Sequence, residues 1–131
     1  MKTNTNLKKI ILAIFTILLI PGISFATATT SVEGTIEGAN CIIAKDVCPK
    51  TNGDPHVALE PDFVLSASGG DYYFLPNVSR WVKTSYINKP IRITGKVRDH
   101  AIFVTKIEVK SNDAYYNVWD WNDITRKMSK R

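Results

Sequence analysis

Two runs of alternating residues meet at Asp99-His100, with too little chain between them for anything but a tight reversal. In the first, Ile91, Ile93, Gly95 and Val97 alternate with Arg92, Thr94, Lys96 and Arg98. In the second, Phe103, Thr105, Ile107 and Val109 alternate against Lys106 and Glu108, while Ile102 and Val104 make its first half apolar on both faces. A period of two is the signature of a half-buried strand, because successive side chains point to opposite faces. The two runs therefore predict an antiparallel hairpin with one apolar face. Such a hairpin is only marginally stable alone, so the rest of the chain has to supply further sheet to cover it. Ile93 and Ile107 are expected to point into one shared core.

The remaining segments supply that sheet. Ser31-Val32-Glu33-Gly34-Thr35-Ile36-Glu37 alternates after a frayed Thr27–Thr30 and reads as a first strand. Phe63–Ala67 and Tyr72–Leu75 are β-favouring runs joined by Ser68-Gly69-Gly70-Asp71, a turn in which glycine accepts positive φ. Ser79 is placed to cap a short helix through Trp81, Val82 and Tyr86, which Asn88-Lys89-Pro90 stops. Residues 38–61 hold Cys41, Cys48, Pro49, Asn52-Gly53, Pro55 and Pro61, too many breakers for regular structure, so a long functional or covalently tied loop is expected. After Ser111-Asn112-Asp113, an aromatic segment leads to Asp120, the cap of a terminal helix through Trp121, Ile124 and Met128.

The first residues predict export. Lys2, Lys8 and Lys9 precede an apolar run from Ile10 to Ile20, then Pro21-Gly22 and Ser24-Phe25-Ala26. This is the pattern of a secretory signal over residues 1–26, with an apolar run too short to span a bilayer. Removing 26 of 131 residues leaves 105, the size of one domain, in a periplasmic or other extracytoplasmic compartment with no later membrane span. It also removes three lysines, so Lys plus Arg falls from 17 to 14 against 12 acids and the net charge from +5 to +2. The basic balance thus argues little for nucleic acid. What remains is uneven: Lys45 and Lys50 face seven acids in residues 27–75, whereas residues 76–131 hold twelve basic residues against five acids. Such a dipole would orient a partner or a second copy.

Five strands with a helix between the third and fourth is the order of an oligonucleotide/oligosaccharide-binding barrel, the OB-fold. The stretches "VEGTIEG", "DYYFLPN" and "PIRITGKVRDHAIFVTKIEVK" resemble small exported bacterial OB-fold proteins over roughly residues 31–110. The resemblance implies an all-β, five-stranded OB-like barrel over residues 27–112, with a short inter-strand helix, a C-terminal helix and an aromatic, basic segment over 113–131. It also implies a binding or assembly module. The Cys-bearing loop and the aromatic tail depart from the plainest members.

Candidate chemistry is concentrated in four places. Cys41 and Cys48 are the only cysteines, and in an oxidising compartment a disulfide is the natural reading. Closing so short a loop contributes on the order of 2–3 kcal/mol in the chain-entropy model. The competing reading is a metal site in which His56 and the carboxylates Asp54, Glu60 and Asp62 join Cys41 and Cys48. Tyr72, Phe74 and Trp81, with Arg92 and Arg98, form a possible ligand face, since OB-folds bind by stacking near the third strand. Finally Tyr115, Tyr116, Trp119 and Trp121, followed by Arg126 and Lys127, carry the residue types enriched at interface hot spots. Because the five-strand pattern is complete by Val109, this tail reads either as an association surface or as a cover over an open barrel end.

No Gly-x-Ser-x-Gly elbow, His-Glu-x-x-His motif, Cys-x-x-Cys or phosphate-binding glycine loop is present. The expectation is a non-catalytic, cofactor-free module that binds another protein or itself as an accessory subunit of an extracytoplasmic assembly. A small-ligand or metal-binding protein using the Cys41–Asp62 loop and the aromatic face is the alternative.

Overall fold

A computed structural model describes residues 28–130. The secretory segment expected over residues 1–26 lies outside them. Among the described residues, six strands and three helices follow in the order β1 (Thr29–Gly38), α1 (Ala39–Ile43), a 3-10 turn (Pro55–Leu59), β2 (Phe63–Ala67), β3 (Tyr72–Phe74), α2 (Arg80–Ser85), β4 (Pro90–Arg98), β5 (Ala101–Ser111), β6 (Ala114–Asp120) and α3 (Trp121–Met128).

The strands form one mostly antiparallel sheet, β3-β2-β1-β4-β5-β6. One further pairing is parallel, Phe74 with Ala101, and joins β3 to β5. The pairings therefore run β1-β2-β3-β5-β4 and return to β1. β1 makes this possible by serving two neighbours: its first half pairs with β4 and its second half with β2. The enclosed core holds Ile36, Phe63, Leu65, Leu75, Ile91, Ile93, Ile102, Val104 and Ile107. Ile93 and Ile107 face each other across the β4–β5 pair, as their phase predicts.

The strand count is corrected from five to six. β5 runs on to Ser111, and Asn112-Asp113 returns the chain as β6. Both turn residues have positive φ, 47° and 60°. That is the handedness a two-residue hairpin loop needs to match strand twist, and Asn and Asp tolerate it better than most residues. The boundary expected at residue 113 thus falls inside a hairpin. The frayed leader is shortened, because β1 already begins at Thr29.

The phase of β5 also differs from its sequence pattern. Pairing passes from Thr94 with Lys106 to Gly95 with Val104, which leaves Thr105 as the extra residue of a β-bulge. Its hydroxyl donates to the Thr94 carbonyl at 3.0 Å. The extra residue exchanges the faces, so Ile102 and Val104 enter the core and Phe103 lies outside. Gly95 is required here, because a Cβ would run into the Phe103 backbone.

Candidate functional site

The segment between β1 and β2 is more regular than its breakers suggest. Gly38 has no side chain with which to cap α1, and the Glu60 carboxylate takes that role. It accepts from the amides of Asn40 at 2.7 Å and Cys41 at 3.2 Å, satisfying two of the orphan donors of a first helical turn. Any Cβ at position 38 would occupy the space of the Glu60 side chain, so glycine is what lets the acid lie down. Past α1, Cys41 and Cys48 form the expected disulfide, with Cα atoms 4.8 Å apart.

Asp54 organises the next turn. Its carboxylate accepts from the Lys50 amide at 3.0 Å, the His56 amide at 2.9 Å and the His56 ring at 2.8 Å. The Lys50 amide, then the His56 amide and ring, hold its carboxyl at about 2, well below the ordinary 3.8. Pro55 opens the 3-10 turn, where its missing N–H is no loss.

The rest of the protein pins this loop from outside. Asn88 donates to the carbonyls of Pro49 and Lys50 at 3.2 and 2.9 Å. Arg80 on α2 donates to the Val57 carbonyl at 2.7 Å and lies over the Phe63 ring. Lys83, buried on the same helix, pairs with Asp62. The loop is thus held by a covalent bridge, two carboxylates and three side chains from α2 and its exit.

Against that frame four large apolar side chains stand in water: Ile43 49% exposed, Val47 59%, Leu59 73% and, on α2, Trp81 77%. Val47 and Leu59 share the lining of a groove of about 190 Å³ with Asn40, Asp46, His56 and Glu60.

The other sequence-predicted residues are dispersed. Tyr72 stacks on His100 at 4.8 Å and meets Phe74 edge-on, so these two mark the outer side of the β3–β5 junction. No ring pairing among the described residues joins Trp81 to them. Arg92 is engaged elsewhere: it donates to Glu33 at 3.0 and 2.8 Å and lies 3.7 Å over Tyr115. This pairing, with a further hydrogen bond from Tyr115, lowers the Glu33 carboxyl and raises the Arg92 guanidinium. Arg98 is exposed at the far end of β4.

The tail divides. Trp119 is buried in the core, 9% exposed, and Trp121 packs against it and against Phe103 at 5.5 Å. Tyr116 remains in solvent, Arg126 pairs with Asp123, and Lys127 lines a second groove, about 250 Å³, between β6 and α3. Sequence reasoning missed Glu37, which only the fold brings against both sulfurs of the bridge. It offered Glu60 as a metal ligand, whereas the carboxylate caps the first turn of α1 through the Asn40 and Cys41 amides.

The metal set read from the sequence, Cys41, Cys48 and His56, is not assembled. The two sulfurs are bonded to each other, and the His56 ring is turned to Asp54. Neither imidazole has a hydroxyl or thiol partner among the described residues. No protein-family model, curated protein or solved structure matches this chain.

Proposed function

We propose that this chain is a non-catalytic, exported binding module of OB-like architecture that docks onto another protein as an accessory or assembly subunit. Support for the OB-like reading comes from the pairing order β1-β2-β3-β5-β4 with a helix between β3 and β4, and from a core inside that ring. The disulfide suits an oxidising compartment, in keeping with export.

The observation that carries the docking reading is the exposure of Ile43, Val47 and Leu59 on a segment tied down by Arg80 and Asn88, with Trp81 exposed on α2. Exposed side chains on a backbone already held in place leave less chain entropy to lose on association, and tryptophan is among the residue types enriched at hot spots. The two grooves described above, about 190 and 250 Å³, are each smaller than the roughly 300–1,000 Å³ of ligand pockets, so neither favours a small organic ligand. We assign the docking surface to the loop and α2, because Trp119 is buried and Trp121 packs behind it, while Tyr116, Val118 and Met128 are the tail's exposed apolar groups.

The test is mild purification from the native source with and without Leu59→Ser and Trp81→Ala together. Both side chains are exposed, so the double variant should fold as the parent does, within about 0.5 kcal/mol per site. The parent should sediment with a partner and the variant alone. A parent that sediments as a lone monomer, or a variant that stays in the assembly, overturns the reading.

A further inference from the structure

Glu37 is the last side chain of β1 before the helix that carries Cys41. Its Oε1 accepts from the Thr35 hydroxyl at 2.8 Å. The other oxygen, Oε2, lies 3.8 Å from the sulfur of Cys41 and 4.0 Å from that of Cys48. One oxygen and two sulfurs thus lie within 4.8 Å of one another. The carboxylate is half-buried, and among the described residues no ion pair involves it. Glu33 has Arg92 and Glu108 has Lys106, whereas the neighbours of the Glu37 carboxylate are the Thr35 hydroxyl and the bridge.

We propose that reduction of the Cys41–Cys48 bridge converts this corner into a binding site for a thiophilic divalent cation such as zinc, held by Glu37, Cys41 and Cys48. A small dithiol supplies the two electrons and two protons that cleave the S–S bond, and itself becomes a disulfide. The cation then displaces the two thiol protons, since thiolates are the ligating form. Zinc takes sulfur at about 2.3 Å and carboxylate oxygen at about 2.0–2.2 Å, which puts tetrahedral oxygen and sulfur ligands roughly 3.6 Å apart. Oε2 already stands close to that separation from both sulfurs. Thr35 orients the carboxylate as an outer partner orients a metal ligand, leaving one oxygen free to bind. Only the two sulfurs have to separate, and the six residues between them form the end of a short helix and an irregular segment. The bridge is then the closed form of the site and the dithiol its open form. This inference stands apart from the docking reading.

The experiment uses the full mature chain, reduced with a non-coordinating phosphine and checked for fold by far-UV circular dichroism. Zinc is titrated in competition with a chromophoric chelator, and its stoichiometry is read by native mass spectrometry. One zinc per reduced chain is expected, and none at this site in the oxidised chain. Glu37→Gln should weaken binding about tenfold or more, the scale at which even outer partners act. Glu37→Asp, which keeps a carboxylate, should recover part of it. Cys48→Ser should abolish binding, and His56→Ala should leave it unchanged. Equal zinc affinity in the parent and Glu37→Gln, absence of stoichiometric zinc in the reduced parent, or loss of zinc in His56→Ala overturns the proposal.

Discussion

Asn77 does for β5 what no strand does. Along one edge β5 meets β3 at Ala101 and β6 from Lys106 onward, and between them the Val104 backbone has no strand partner there. The Asn77 side chain fills the interval: its Oδ1 accepts from the Val104 amide and its Nδ2 donates to the Val104 carbonyl, both at 2.8 Å. Val104 is fully buried, so water cannot replace these bonds. Asn77→Ala is expected to destabilise by about 1–3 kcal/mol, the range for a buried backbone group left unsatisfied. Asn77→Asp should be no better, because it keeps the acceptor but sets a second oxygen against the Val104 carbonyl. Denaturant midpoints measure both, and a loss under about 0.5 kcal/mol for either would place the closure elsewhere. Nothing in the sequence hints at this role. Asn77 reads as a strand end and as part of an Asn-Val-Ser sequon, and its partner lies 27 positions on. Residue roles that depend on a local pattern were legible, as with Ser79, whose oxygen does accept from the Val82 amide.

Among the elements, the legible ones were those whose periodicity and punctuation agree. The β2–β3 hairpin, α2 and the Asp120-capped α3 fall where their turn and cap residues put them. Two features hid the rest. The Thr105 bulge inverts the β5 pattern midway, so Phe103 reads as core from alternation and stands outside in the fold. The loop over residues 38–61 looks irregular because its order comes from hydrogen bonds to carboxylates rather than from a backbone period. Asp54 makes that order dependent on pH. Its carboxyl titrates at about 2 in the folded protein against an ordinary 3.8, so its stabilising effect is complete above 3.8. As pH falls from there toward 2 the loosened state takes up a proton that the folded loop does not, and the contribution is lost. Hydrogen exchange, corrected for intrinsic rates, should show protection of the Lys50 and His56 amides falling over this window. The disulfide should keep the change local. Protection that is flat through the window, or that falls identically in Asp54→Asn, would mean another group controls the loop.

At the scale of the whole molecule, the charge asymmetry along the chain is partly paired across the fold. The acidic first half and the basic second half meet where β1 lies against β4 and α2 against the start of β2: Arg92 pairs with Glu33, and Lys83 on α2 with Asp62. Of the two readings of the tail, the cover over an open barrel end is the one that its packing favours. β6 adds a sixth strand beside the open stretch of β5, and Trp119 carries its side chain into the core with Trp121 and Ile124 packed behind. Deleting residues 115–131 removes that cover and opens the core near Ile107 to water. We expect the shortened protein to lose its cooperative thermal transition, and Trp119→Ala alone to cost about 3–5 kcal/mol, the range for removing a large buried aromatic. Tyr116→Ala is the internal control: it sits on the same strand with 54% of its surface exposed, and should change stability by no more than about 0.5 kcal/mol. Calorimetry of the three variants beside the parent separates the readings. If the deletion melts cooperatively near the parent, and Trp119→Ala behaves like Tyr116→Ala, then the ring of five strands is self-sufficient and the aromatic tail is free to serve as the contact surface instead.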